Sequence, residues 1–124
     1  MPKATISATT KKFDLKSAPP DGFVELRRLT YGQSLARRDM VMAFTFAESK
    51  GKGGDPDIGT QLQNAKVTQF EWTSSIITWN LTDENDQPLD WKKSNLFEVI
   101  DPAIAEEISQ YITDMNNFEA ELGN

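Results

Sequence analysis

A polar, proline-containing segment between two tryptophans limits how far regular secondary structure can extend in this chain. Residues 79–91 have the sequence WNLTDENDQPLDW, and residues 83–87 are rich in Asp and Asn, which form turns by bonding their own backbone. Pro88 has a fixed φ and no N–H to donate. A helix that enters this segment is therefore expected to end by Leu81, in a wide turn bracketed by aromatic side chains.

The size and composition of the chain predict one globular domain. Its 124 residues, 38% of them hydrophobic and 26% charged, suit a single core. No segment approaches the roughly 20 consecutive apolar residues of a membrane-spanning helix. Residues 1–12 also lack the apolar stretch of a secretory signal. We therefore expect a protein of the cytoplasm that does not contact a membrane.

The absence of two residue types narrows the possible chemistry. The chain has no cysteine and no histidine. It therefore cannot use a disulfide, a catalytic thiol, a histidine base or the usual ligands of zinc. Carboxylates are numerous, but their predicted positions are exposed helix faces and one turn. We expect a non-catalytic binding protein without a cofactor or a metal ion.

One segment invites a calcium-binding interpretation. Asp83, Asn85 and Gln87 alternate as in the opening of a calcium loop. However, the sixth position is Pro88 where the loop requires glycine, and the twelfth is Ser94 where it requires a bidentate glutamate. The sequence therefore does not predict a calcium site.

The charges of the chain are unevenly distributed. Residues 1–52 hold ten Lys/Arg and five Asp/Glu, a net charge of +5, whereas residues 53–124 hold three and fourteen, a net charge of −11. An acidic protein is a poor ligand for nucleic acid. Opposite patches favour pairing with another protein or head-to-tail association of copies. The alternative is that both charge sets are solvated faces of one fold.

Periodicity predicts a mainly α-helical domain with a small N-terminal β-hairpin, an α+β chain folded as a compact bundle of three to four helices. Residues 1–10 are expected to be a flexible arm and residues 11–124 one globular domain. The hairpin is predicted at about 12–29, with its turn at the Pro- and Gly-containing residues 18–22. Helices are predicted at about 31–49, 58–81, 94–99 and 102–122, with a flexible loop at 50–57.

Two of the predicted helices depend on a choice between alternatives. The run 73–78 is rich in β-branched residues and could be a strand, but the apolar stripes continue through about twenty residues, which favours one long central helix. The helix at 31–49 is apolar nearly all round, since Met40 and Phe44 flank its main stripe. Part of that surface is therefore a candidate for contact with another subunit.

Four segments of the chain together resemble a known family. They are FVELRRLTYG at 23–32, RRDM at 37–40, WNLTDENDQPL at 79–89 and IDP at 100–102. In this order, over about residues 11–118, they resemble the tail assembly chaperones of long-tailed bacteriophages. Where such proteins commonly have glycine after the Asp-Glu-Asn of the turn, this chain has Asp86.

The resemblance implies a function in virion morphogenesis. Such a chaperone coats the tape measure protein, recruits tail tube subunits, associates with itself, acts in the cytoplasm of the bacterial host and is absent from the mature virion. A longer frameshifted product is often made beside it. One alternative is a permanent minor tail or connector protein of the virion. The other is a small enzyme, which the absence of His and Cys disfavours. The candidate partner-binding residues are Arg27, Arg28, Arg37, Arg38, Met40, Phe44, Trp79, Asn80, Asp83, Glu84 and Trp91.

Overall fold

In the part of the chain that the structure describes, the fold combines a three-stranded sheet with three helices. The computed structural model describes residues 10–50, 56–93 and 95–116 together with Pro2 and Ala4, and it describes the side chains of these residues except those of 44–50 and 56–64. In chain order the elements are β1 (Lys11–Asp14), β2 (Phe23–Leu26), α1 (Tyr31–Lys50), α2 (Pro56–Ser75), β3 (Ile76–Trp79), a 3-10 turn (Leu96–Glu98) and α3 (Pro102–Asn116).

The sheet is antiparallel and has the strand order β1-β2-β3. Across it, Phe13 lies opposite Val24, and Val24 lies opposite Trp79. Glu25 pairs with Thr78 and Leu26 with Ile76, so Ile77 is the extra residue of a β-bulge. Because a bulge bends its strand, β3 is an irregular edge strand.

The predicted bundle of three to four helices is wrong. The predicted helix at 58–81 ends at Ser75, and residues Ile76–Trp79 form the third strand of the sheet instead. β-branched side chains lose rotamer freedom in a helix and pack well on a pleated surface. The run of Ile76, Ile77 and Thr78 therefore favours pairing with β2, and the domain is α+β.

Other predicted elements differ from the structure mainly at their ends. The helix predicted at 94–99 is a single 3-10 turn. α3 is described as far as Asn116, and the remainder of its predicted span to 122 lies outside the described residues. Most of the predicted arm at 1–10 and residues 51–55 of the predicted loop at 50–57 also lie outside them.

α1 and α3 begin at side-chain caps. At α1, Gln33 N–H donates to Thr30 Oγ1 at 3.1 Å while Thr30 N–H donates to Gln33 Oε1 at 2.9 Å, which is a reciprocal capping box. At α3, Asp101 Oδ1 accepts from Ala103 N–H at 2.8 Å, and Pro102 occupies the first helical position.

The core lies between the sheet, α3 and the C-terminal part of α2. Ile108 and Ile112 of α3 are fully buried, and the ring of Phe13 stacks on Tyr111 at 4.5 Å. Trp72 of α2 contacts Trp79 edge-to-face at 5.9 Å and Phe97 at 5.1 Å. The buried apolar residues are Leu15, Val24, Leu26, Leu29, Trp72, Ile76, Trp79, Leu81, Leu96, Ile108 and Ile112.

A second, smaller hairpin follows β3. Leu89 N–H donates to Leu81 O, and Asp83 N–H donates to Gln87 O at 2.8 Å. Asp83 Oδ1 accepts from the N–H groups of Asn85 and Gln87, and Asp86 has a φ of +60°. The left-handed conformation of Asp86 closes the turn at the position where the resembled family commonly has glycine.

The turn predicts a difference between two variants at position 86. Alanine in a left-handed conformation costs about 1 kcal/mol relative to glycine. We therefore expect the unfolding free energy of Asp86→Gly to exceed that of Asp86→Ala by about that amount in urea denaturation. Equal stabilities of the two variants would show that Asp86 does not hold this conformation in solution.

The aromatic cluster predicts a large loss of stability on truncation of Trp79. This side chain is 8% exposed, contacts two other tryptophans and donates through Nε1 to Leu89 O at 2.8 Å. We expect Trp79→Ala to lower the unfolding free energy by about 3–5 kcal/mol in denaturant melts. The matched control is Ile77→Ala on the same strand, whose exposed side chain should cost less than about 1 kcal/mol. A loss at Trp79 as small as that of the control would contradict its role in the core.

Candidate functional site

Several candidate partner-binding residues have structural roles inside the domain. Trp79 is part of the core. Asn80 ties the β1–β2 turn to β3, because its Oδ1 accepts from Phe23 N–H at 2.9 Å and its Nδ2 donates to Asp21 O at 2.8 Å. Asp83 holds the second hairpin. These side chains use their hydrogen-bonding groups within the chain.

Trp91 is half-buried beside Trp79. The two rings meet edge-to-face with their centroids 5.3 Å apart. The Trp91 Nε1–H is buried and has no hydrogen-bond partner among the described residues. Trp91 therefore belongs to the flank of the core, and its ring covers Trp79.

Arg37 forms an internal ion pair and is not a surface charge. Its Nε lies 2.6 Å from Glu71 Oε2, and the two side chains are only 13% and 8% exposed. Burial raises the pKa of Glu71, and the hydrogen bond and charge of Arg37 only partly oppose this increase. The pair therefore fixes α1 against α2, and substitution of Arg37 alone would leave a buried carboxylate without its partner.

Glu107 of α3 also has an internal role. Its carboxylate accepts from the N–H groups of Lys16 and Ser17, from Ser17 Oγ at 2.6 Å and from Tyr111 OH at 2.7 Å. Desolvation alone would raise the pKa of Glu107, but the hydrogen bonds from Ser17, Tyr111 and the Lys16 backbone outweigh it and lower the pKa to about 2. The bond to Glu107 in turn raises the pKa of Tyr111 to about 12.

The remaining candidate residues lie at or near the surface. Arg27, Arg28, Arg38 and Glu84 are exposed, and Met40 is half-buried on α1. Arg27 donates through Nε to Ser74 O at 3.1 Å, which places its side chain at the end of α2. Phe44 lies in α1, but its side chain is outside the described residues. The structure thus separates the candidate arginines, since Arg37 faces inward while Arg27 and Arg28 stay exposed.

One side of α1 presents an exposed stripe. Leu35, Arg38 and Met42 are spaced by three and four residues, so they line one side of the helix, and all three are exposed, Met42 by 62%. α1 packs chiefly against α2. We call these three residues the α1 stripe. An exposed three-four repeat of this kind is the pattern by which one helix packs along another.

A groove with apolar and acidic lining lies between the second hairpin and the start of α3. It has a volume of about 710 Å³ and includes Val99, which is 66% exposed. Three acidic residues, Asp83, Glu84 and Asp101, also line it. We call it the acidic groove. Its apolar lining consists of Leu81, Leu89, Val99, Ile100 and Ile104.

The sequence indicated the groove only in part. Asp83 and Glu84 are among the candidate residues, whereas Val99 and Ile104 fall within the helices predicted at 94–99 and 102–122 and are not candidates. The apolar lining joins residues 81, 89, 99 and 104, which are brought together by the second hairpin and the start of α3. The sequence signal for the groove was the adjacent apolar pair Val99 and Ile100 at the end of the helix predicted at 94–99. Neighbouring residues of a helix point in different directions, so one short helix cannot bury both side chains.

The described residues were compared with the requirements of a metal site and of a membrane span. Within residues 10–50, 56–93 and 95–116, no group of three or more acidic side chains is positioned to hold a metal ion. In the same ranges, no helix is long and apolar enough to cross a membrane. Comparison of the chain with protein-family models, curated proteins and solved structures finds no match.

The Glu107 contacts predict an acid-dependent loss of stability. Because the folded pKa of Glu107 is depressed, its contribution is fully present above its usual value of 4.5 and is lost as the pH falls toward 2. We expect Glu107→Gln to lower the unfolding free energy at neutral pH by about 1 kcal/mol, a value reduced by solvent screening of this partly exposed group. The difference from wild type should shrink in urea melts as the pH falls from about 5 to about 2.

The matched control is the neighbouring exposed carboxylate. Glu106→Gln removes the same charge from the next residue of α3, whose side chain is exposed. It should leave both the stability at neutral pH and its pH dependence close to wild type. If both variants changed the acid dependence equally, total charge rather than the Glu107 contacts would be responsible.

Proposed function

We propose that this chain is a tail assembly chaperone of the long-tailed bacteriophage type. It coats the tape measure protein before the tube polymerises and helps to recruit tail tube subunits, without catalysis. It acts in the cytoplasm of the bacterial host and is absent from the mature virion. The resemblance over about residues 11–118 supports this proposal, and the α1 stripe is the structural observation that carries it.

The α1 stripe suits a helical partner. Leu35 and Met42 offer two apolar side chains two helical turns apart, and Arg38 adds one cation between them. A partner helix with apolar residues at similar spacing would bury both. A tape measure protein of this phage class is elongated and largely helical, so it offers such surfaces in many repeats.

The flexibility of methionine fits this role. An unbranched thioether side chain adapts to neighbours of different shape. A chaperone that covers a long protein must contact many non-identical segments, and adaptable apolar contacts make this possible. The three-residue stripe is small, so coating requires many copies on one tape measure.

The proposal predicts that Met42 contributes to tape measure binding. We expect Met42→Glu to weaken binding by at least about tenfold, because a charge would replace an exposed apolar contact in the interface. The measurement is a titration of labelled tape measure fragments at dilute chaperone concentration, with circular dichroism to verify the fold. The matched control is Val99→Glu, which places the same charge at an equally exposed position in the acidic groove. Wild-type affinity of Met42→Glu would contradict the proposed site.

The second candidate function is a permanent minor tail or connector protein. The same exposed stripe could serve a lasting contact in the particle. Mass spectrometry of purified virions separates the two functions, since a chaperone should be present in the infected cell and missing from the finished particle. Stoichiometric recovery of the chain from virions would favour the structural role.

A further inference from the structure

The acidic groove carries charges of one sign on both of its walls. Asp83 and Glu84 belong to the second hairpin, and Asp101 stands at the start of α3 on the other wall. Among the described residues that line the groove there is no lysine or arginine. The positive end of the α3 dipole is equivalent to about half a charge, so the three carboxylates outweigh it. The groove therefore attracts cationic groups.

The internal hydrogen bonds of these acids leave carboxylate oxygens for a partner. Asp83 accepts two backbone N–H groups and Asp101 accepts one, in each case through Oδ1. Within the part of the chain that the structure describes, Glu84 and the Oδ2 atoms of both aspartates accept no hydrogen bond and form no salt bridge. Glu71 and Glu107 differ in this respect, because their carboxylates are held inside the domain.

The groove also has an accessible apolar lining. Val99 is 66% exposed, and of the large hydrophobic residues described only Tyr31 is more exposed. Leu89, Ile100 and Ile104 are half-buried in the same lining. A free cation would not need this surface, whereas a partner with an apolar side chain would remove it from water.

Two other recesses of the described residues lack this combination of charge and apolar surface. The recess at the first hairpin has two lysines and two aspartates in its lining, so its charges balance. The recess between α2 and α3 has one charged residue, Glu106, in a lining that is otherwise uncharged. Charge complementarity therefore points to the acidic groove as the docking surface for a cationic partner.

We infer that the acidic groove binds a cationic amphipathic segment of a partner protein. An apolar side chain of the segment covers Val99, while lysine or arginine residues on either side of it pair with the carboxylates of the two walls. A segment with cations on one side only would leave one wall unpaired. The two walls therefore select an apolar residue placed between cations. This inference does not depend on tape measure binding, which is assigned to the α1 stripe.

The test uses a labelled synthetic peptide in which two leucines are flanked by lysines on both sides. Fluorescence anisotropy with the purified full chain at low salt should show saturable one-to-one binding, and added salt should weaken it because the charges are screened. One control peptide has glutamates in place of the lysines, and a second has serines in place of the leucines. Each should bind at least about tenfold more weakly, because it lacks one of the two complementary features.

Variants of the chain locate the binding site. Val99→Lys should weaken binding of the lysine–leucine peptide by at least about tenfold with unchanged circular dichroism, because it replaces an apolar contact by a like charge. The matched control is Met42→Lys, which adds the same charge at an equally exposed position on α1 and should bind like wild type. Glu84→Gln should reduce the salt dependence of binding, whereas Glu106→Gln, outside the groove, should not.

Several results would overturn the inference. They are equal binding of the three peptides, wild-type affinity of Val99→Lys, and equal losses for Val99→Lys and Met42→Lys. Incomplete saturation that coincides with growing oligomers in sedimentation velocity would also overturn it, since a second copy would then occupy the groove. A chain that binds the peptide normally but fails to bind tape measure fragments would contradict only the proposed function, so the two failures are distinguishable.

Discussion

The edge-to-face contact between Trp72 and Trp79 organises the domain. α2 passes into β3 without a connecting loop, between Ser75 and Ile76, and the two tryptophans lie on either side of this junction with their rings 5.9 Å apart. Trp72 also donates to Ser109 of α3 and contacts Phe97 of the 3-10 turn. One buried cluster therefore joins α2 to the sheet and to α3, and α1 is attached to this core chiefly through its packing against α2.

The bulge at Ile77 explains why the sequence predicted a helix through this junction. The buried residues Trp72, Ile76 and Trp79 are separated by four and three positions, which is a helical spacing. A regular strand would have buried alternate residues, but the extra residue of the bulge turns both Ile76 and Trp79 inward. The strand thus imitates helical periodicity. The β-branched residues of 73–78 were the local signal for a strand, and pairing with β2, a contact distant in sequence, decides between the two.

The elements fixed by local chemistry were predictable. The first hairpin follows from alternation around a Pro- and Gly-containing turn, and the start of α3 follows from Asp101 and Pro102. The segments that carry the family resemblance are of the same local kind. Thr30 caps α1, and Asp83 holds the second hairpin. These residues therefore indicate how the chain folds rather than which partners it contacts. Accordingly, the candidate residues Asn80 and Asp83 make hydrogen bonds within the domain.

The surfaces that can meet a partner depend on tertiary placement, so the sequence revealed them only in part. It showed an excess of positive charge in one half and of negative charge in the other, but not that Arg37 and Glu107 are used within the domain. What remains exposed is separated along α3, with Arg27 and Arg28 near its C-terminal end and the acidic groove at its N-terminal end. The α1 stripe lies outside the acidic groove and contains only three side chains. A long helical partner would therefore be held by many copies of the chain, because each weak contact is strengthened by its neighbours on the same partner.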